Sequence, residues 1–282
     1  MKTSNPTTWF ITGTSSGFGR QLTEQLLARG DRVAATLRKP QALAALTEKY
    51  PDSLWVRELD VTDTEQIRTV VAAAFNELGR IDVVVSNAGY AVFGAAEELS
   101  DDQIHRQIET NVIGSVQLVR AVTPHLRSQG GGKVLQLSSM GGQIAFPSLS
   151  VYHLSKWAIE GFFEGYAPEV APFGIRTCLV EPGSAATEFG GSSASWAPAL
   201  DEYTDTPAGH MRSMILSPPE GQEQPIGDPT RFAELMIDAA DSDELPPRLL
   251  LGADAYQLVS DALRARLDAV EKQKPLTVSA SS

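Results

Sequence analysis

Along most of the chain, short apolar runs alternate with stretches whose apolar positions recur every three or four residues. "TWFITG" (8–13) is a compact apolar run, and "GFGRQLTEQLLARG" (17–30) follows with Leu22, Leu26 and Leu27 on one helical face. "RVAATL", "LWVRELD", "IDVVVSN", "KVLQLSS", "IRTCLVE" and "RLLLG" repeat the first pattern, and "DTEQIRTVVAAAFNELG" (63–79) the second. Several of the runs are apolar at consecutive positions, as expected of parallel strands covered on both faces. Strand and helix in regular succession predict one α/β domain over residues 1–282. Its expected core is a doubly wound, mostly parallel seven-stranded sheet with helices on both faces, the Rossmann arrangement.

Two segments break the rhythm. Residues 184–227 are rich in Ser, Pro, Gly and acidic side chains, with Phe189, Trp196, Tyr203, Met211 and Met214 scattered among them. A connection that long within a compact domain reads as a substrate lid. Residues 271–282, ending in "QKPLTVSASS", read as a frayed tail.

Composition narrows the function classes. The chain is 42% hydrophobic, enough for a sizeable core, and its net charge of −12 argues against nucleic acid or an anionic membrane surface as partner. The single cysteine, Cys178, rules out an internal disulfide framework and fits a reducing compartment; it reads as an inert buried thiol. There is no run of 18 apolar residues, and "MKTSNPTTWF" lacks the apolar segment of a signal peptide, so a cytoplasmic location is expected. The four histidines, His105, His125, His153 and His210, show no metal-ligand spacing, and no metal is expected. His153 is expected to point away from the neighbouring tyrosine's chemistry.

Two stretches carry candidate chemistry. In "TGTSSGFG" (12–19), between the first strand and the first helix, Gly13, Gly17 and Gly19 permit a tight turn beside a helix N-terminus that favours a pyrophosphate. The spacing is G-x-x-x-G-x-G, not the commoner G-x-G-x-x-G. In "VYHLSKWAIEGF" (151–162), Tyr152 and Lys156 stand four apart and leave a helix on the same face. Either stretch alone would be weak evidence, since glycine-rich βα turns and Tyr–Lys pairs also occur without function.

Together with three further pieces they form an ordered set: "TGTSSGFG", "DV" (60–61), "SNAG" (86–89), "SSM" (138–140) followed by "YHLSK" (152–156), and "PGSAAT" (182–187). This set resembles the short-chain dehydrogenase/reductase family in its short single-domain form, over roughly residues 7–270. The resemblance implies that Gly13, Ser15, Ser16, Gly17, Phe18 and Gly19 line the pyrophosphate, and that Asp60 and Val61 flank the adenine. It places Asn87, Ala88 and Gly89 beside the cofactor, and Pro182, Gly183 and Thr187 at the nicotinamide end. The family form of the "SNAG" motif begins with Asn, where this chain has Ser86.

The resemblance also assigns the Tyr–Lys pair. Hydride transfer to a carbonyl builds negative charge on oxygen, which needs a proton donor and hydrogen bonds. Tyr152 is then the acid/base, and Lys156 lowers its pKa and holds the nicotinamide ribose. Of the adjacent Ser138 and Ser139, the family spacing to the tyrosine selects Ser139 as the substrate's hydrogen-bond partner. Ser138 is left facing the sheet or the cofactor. Asn111 in "TNVIG" corresponds to the residue that holds a water leading from Lys156 to solvent. The family also implies a homodimer or homotetramer, often built on the helix that begins near Tyr152. Pro168 is expected to kink or end that helix.

The choice of nicotinamide cofactor is made just after the second strand, at "ATLRKP" (35–40). An acid there would bond the ribose hydroxyls of NAD; this chain has Arg38 and Lys39, suited to a 2′-phosphate, although Arg38 would also serve as a surface residue. NADP (NADPH) is the expected cofactor, with NAD possible. "GYAVFG" (89–94) and the lid's aromatics suggest an apolar pocket, and "SMGG" with "GADAYQLV" resemble the hydroxysteroid- and retinol-dehydrogenase-like branch. The expectation is an NADP(H)-dependent oxidoreductase interconverting a small apolar carbonyl and a secondary alcohol. An NAD-dependent alcohol dehydrogenase of the same family and a catalytically silent NADP-binding sensor are the alternatives.

Overall fold

The computed structural model describes residues 6–186, 194–217 and 227–281. The predicted strands are formed as β1 (Thr8–Thr12), β2 (Arg32–Leu37), β3 (Leu54–Glu58), β4 (Val83–Ser86), β6 (Gly132–Leu137), β7 (Ile175–Pro182) and β9 (Arg248–Leu251). They make one seven-stranded sheet in the order β3-β2-β1-β4-β6-β7-β9, with every pairing parallel. Side chains alternate across each strand, so Trp9 and Ile11 enter one core while Phe10 enters the other. The first core packs α1 (Gly17–Ala28) and α8 (Pro229–Asp241) onto the sheet. The second packs α3 (Thr64–Leu78), α5 (Gly114–Ser128) and α6 (Ser150–Val170) onto the opposite face.

Local signals fix the helix starts. Asp63 accepts the Gln66 amide at the start of α3, and Ser100 accepts the Gln103 amide at the start of α4 (Asp101–Ile108). Between α4 and α5, residues Glu109–Ile113 form a π-helical stretch that contains Asn111. One pairing escaped the sequence: β5 (Ala91–Phe93) and β8 (Ala194–Trp196) form a separate two-stranded parallel sheet. Three-residue strands carry too little periodicity to be read before the tertiary structure brings them together. β8, a 3-10 turn at Asp201–Tyr203 and α7 (Pro207–Leu216) are described within the expected lid.

Two expectations need correction. Pro168 does not end α6 at that residue: the helix runs on to Val170 before a 3-10 turn at Ala171–Phe173. Proline cannot bond the carbonyl of Glu164 and crowds it, but Glu169 and Val170 can still continue the helix through their own amides. Most of the expected tail is helical instead: α9 runs from Ala253 to Ser279. Its stretch "ALRARLDAVEKQK" is built almost wholly of strong helix formers, which outweighs the exposure of nearly every side chain. No helix among the described residues is long and apolar enough to cross a membrane.

Candidate active site

The chain reverses its direction of travel across the sheet between β1 and β4, and the glycine loop emerges at that switch point. The loop is tied down from both sides. Gly13 and Thr14 donate their amides to the Thr36 carbonyl at the end of β2 (2.9 and 3.2 Å). The Asn87 side-chain amide donates to the carbonyls of Thr12 (2.8 Å) and Gly13 (3.0 Å), and the Thr12 hydroxyl accepts the amides of Asn87 and Ala88. Asn87 thus braces the loop from β4, and Thr12 is its reciprocal partner, a role not visible in the sequence.

Close packing explains the third glycine. A Cβ on Gly19 would stand 2.4 Å from the Gly13 carbonyl oxygen and 2.6 Å from the Asn87 amide nitrogen. Gly13 itself sits at φ +72°. Ser16, at the N-cap of α1, makes no side-chain hydrogen bond to the helix start, which leaves the first-turn amides to an anion. This cradle fits a pyrophosphate. Ser15 is exposed and Gly17 opens α1, whereas the Phe18 ring turns away and stacks on Phe232 of α8 (6.0 Å between centroids), so only its backbone faces the loop.

The remaining predicted cofactor residues ring the same edge of the sheet. Asp60 accepts the Thr62 amide and hydroxyl (2.9 and 2.8 Å), and the carbonyl of Val61 abuts Gly114, where a Cβ would come within 2.7 Å. A Cβ on Gly89 would meet the Asn111 side-chain oxygen at 3.2 Å. Arg38 is exposed just past β2. Burial raises the pKa of the nearby Tyr90 phenol, and the Arg106 and Arg38 guanidiniums act against that rise. Pro182 is buried at the end of β7, and the Gly183 amide donates to Leu251 (2.7 Å). Asp254 of α9 accepts the Ser184 amide (2.7 Å) and occupies the space a Gly183 side chain would need. This explains the "GADAYQLV" segment: it fixes the loop after β7. Thr187 lies outside the described residues.

Tyr152, Ser139 and Lys156 meet at the end of β6. The Ser139 hydroxyl is hydrogen-bonded to the Tyr152 phenol and also accepts the Gly141 amide (3.0 Å). The Lys156 ammonium donates to the Leu137 carbonyl (2.9 Å) and stands 5.7 Å from the Tyr152 ring centroid. All three groups therefore converge, but the electrostatics differ from the sequence expectation. Burial pushes the Tyr152 phenol up to about 12, with the Ser139 hydrogen bond acting the other way. Lys156 does not reverse this, because it is itself buried and desolvation brings it down to about 8.

Asn111 joins this cluster through Ser155. Its side-chain amide donates to the Tyr90 carbonyl (2.9 Å) and the Ser155 hydroxyl (3.1 Å), and its oxygen accepts the Tyr90 amide (3.1 Å). Ser138, the neighbour not selected, is buried beside the Glu160 carboxyl of α6. His153 points to the loop that follows Ser139, where it is buried and hydrogen-bonded. Cys178 is buried as expected, and burial pushes its thiol up to about 12. Among the described residues, no group of His, Cys, Asp and Glu side chains could hold a metal ion.

The space around Tyr152 is apolar. Tyr152 clusters with Ala91 and Phe93, with Leu149, Trp196 and Ile215 packed against them, and Phe93 stacks on Trp196 at 4.6 Å. Part of the segment expected as a lid is held by ion pairing. Glu98, with a side chain only 3% exposed, pairs with Arg212 of α7 (2.7 Å) and accepts the Leu200 amide (2.9 Å).

Comparison with known proteins identifies the class that this fold and site define. The family model for short chain dehydrogenases matches residues 7–198. The chain belongs to that family of NAD(P)-dependent oxidoreductases. It is 38% identical over 274 residues to the oxidoreductase BOA17 of Botryotinia fuckeliana, covering 97% of this chain and 98% of that protein. Its fold matches a short-chain dehydrogenase from Streptomyces avermitilis with a TM-score of 0.90 at 37% identity, covering 99% of each chain. A structure of ElxO with NADP bound matches with a TM-score of 0.73 at 25% identity, covering 89% of this chain and 99% of that one.

Proposed function

We propose that this protein is an NADP(H)-dependent oxidoreductase that interconverts an apolar carbonyl compound and its secondary alcohol, with Tyr152 as the acid/base. The observation that carries the reading is the convergence of the Ser139 hydroxyl, the Tyr152 phenol and Lys156 beside the switch point of the sheet. The glycine loop from Gly13 to Gly19 would hold the pyrophosphate, and Arg38 the 2′-phosphate. Asp60 and Val61 would flank the adenine; Asn87, Ala88, Gly89, Pro182, Gly183 and Thr187 would line the path toward the nicotinamide. NADPH, when bound, supplies the hydride.

The chain's own residues handle the proton. A phenol raised to about 12 keeps its hydrogen at neutral pH, the form an acid needs in carbonyl reduction. Tyr152 gives that proton to the substrate oxygen. Ser139, whose oxygen is already engaged by the Gly141 amide, donates its own hydrogen to the same oxygen or to the phenolate left behind. Lys156 supplies positive charge to the phenolate and holds the nicotinamide ribose, while Asn111 holds Ser155 and Tyr90 around it. The apolar wall of Phe93, Trp196 and Ile215 favours a substrate whose carbonyl carries apolar groups.

The test follows cofactor absorbance with purified protein, NADPH and NADH, against a panel of ketones, aldehydes and alcohols of graded size. Turnover of apolar carbonyls with NADPH, abolished in Tyr152→Phe, is the expected result. Tight NADPH binding without turnover across the panel would overturn the reading in favour of a silent binding protein.

A further inference from the structure

His153 follows the proposed acid/base directly in sequence, and an α-helix directs adjacent side chains to different faces. It is nevertheless buried, and its ring is used on both sides. Nε2 accepts the amide of Phe146 (2.9 Å), so the ring hydrogen is on Nδ1, which donates to the Gly141 carbonyl (2.8 Å). Burial holds the imidazole neutral by lowering its pKa below the usual histidine range, which preserves the Nε2 acceptor.

The segment so clamped comes straight after Ser139. Its ordered part is a single 3-10 turn, Met140–Gly142, and the chain then runs without regular structure to α6. Gly141 occupies the middle of this arrangement. Its amide donates to the Ser139 hydroxyl (3.0 Å) while its carbonyl receives the His153 hydrogen. A side chain at Gly141 would come within 2.8 Å of the His153 ring and 3.3 Å of the Ser139 oxygen, so the approach of all three requires glycine. The Phe146 ring packs against the imidazole at 5.8 Å and completes the clamp.

We infer that His153 is a positioning residue for the reaction: it fixes the Gly141 peptide, which in turn aims the Ser139 hydroxyl at Tyr152. The inference rests on the proposed roles of Ser139 and Tyr152. His153 touches no reacting atom, and its effect is transmitted through one peptide unit. An apolar residue of similar bulk would fill the space yet leave the Gly141 carbonyl and the Phe146 amide without partners.

The experiment compares kcat, KM and NADPH affinity in His153→Leu, His153→Asn, Ser139→Ala and the double variant Ser139→Ala with His153→Leu. A loosened Ser139 lowers kcat in His153→Leu by about 10- to 100-fold, the scale of a small misplacement of a catalytic group, with NADPH affinity unchanged. An asparagine amide reaches the place of Nδ1, so His153→Asn recovers most of kcat even though it lacks the Nε2 acceptor. It also serves as the folded control if the leucine variant is unstable. In the Ser139→Ala background, replacing His153 changes kcat little further, because the group it aims has gone. If the two losses instead multiply, or if asparagine is no better than leucine, His153 is merely structural and the inference falls. If Ser139→Ala retains full kcat, the proposed site itself is wrong and the inference falls with it.

Discussion

Arg248 stands at the start of β9 with three carboxylates around it: Glu160 and Glu164 of α6 and Glu181 of β7. Two of these are buried, with the Glu160 and Glu181 side chains only 7% and 1% exposed, while Glu164 is largely in solvent. Replacing Arg248 with methionine keeps the bulk and leaves two buried carboxylates without their cation. Breaking a buried pair in this way costs roughly 3–5 kcal/mol. The lower end applies here, about 3 kcal/mol, because Arg248 is itself 29% exposed and water screens part of the interaction. At about 2–4 °C per kcal/mol for a domain of this general size, the melting temperature should fall by roughly 6–12 °C near neutral pH.

The pH dependence gives the stricter check. In the wild type, burial and then the neighbouring Glu181 carboxyl raise Glu160 to about 7, against the opposing effects of Ser138 and Arg248. A carboxyl whose folded pKa exceeds its unfolded value contributes stability that is complete below the unfolded pKa of 4.5 and lost as pH rises through the folded one. Removing Arg248 takes away a cation that holds the Glu160 carboxyl down and so raises it further, and the variant's deficit should shrink as pH falls from about 7 toward about 5. Glu160→Gln together with Glu181→Gln should restore most of the loss at neutral pH. The assay is thermal melting of all variants at both pH values. A deficit below about 1 kcal/mol at neutral pH, or one that does not change with pH, would refute the reasoning. The cluster bears on function because Glu160 lies one turn beyond Lys156 and ties that face of α6 to β7 and β9.

Tyr152→Phe should reduce turnover at least ~10²-fold while NADPH affinity, measured by fluorescence titration, changes little; retention of half the wild-type rate would remove Tyr152 from its role. Arg38→Ala should weaken NADPH by roughly 10- to 150-fold, the loss of one charge-assisted hydrogen bond, and NADH far less. An unchanged NADPH/NADH preference in Arg38→Ala with Lys39→Ala, or a wild-type preference for NADH, would contradict the cofactor choice. Gly19→Ala drives a methyl to 2.4 Å from the Gly13 carbonyl in a loop that Asn87 holds fixed. It should therefore destabilise the protein by about 1–3 kcal/mol in urea titration and depress affinity for both cofactors alike.

Much of the fold was legible in the chain itself. The centres of runs such as "IDVVVSN" and "IRTCLVE" are apolar at consecutive positions and have no polar face there, so they belong inside a sheet covered on both sides. The helical spacing of Leu22, Leu26 and Leu27 supplies one such cover. The glycine loop, Tyr152 and Lys156 were equally visible, because a tight turn and a shared helix face are properties of local spacing. What local spacing does not carry is the field at a side chain and its partners across the fold. The sequence put a cation near Tyr152, but burial among Ala91 and Phe93 is what raises the phenol, with the Ser139 hydrogen bond acting against it. The roles of His153 and Asp254 could not be read from the motifs that contain them, since their partners, Gly141 and Phe146 for one and Gly183 and Ser184 for the other, are brought to them by folding. The same is true of the β5–β8 pair, whose strands lie about a hundred residues apart and are too short to declare themselves before they meet. Backbone pattern is a property of neighbours along the chain; the ionisation and aim of a catalytic group depend on neighbours in space, and only the tertiary structure decides those.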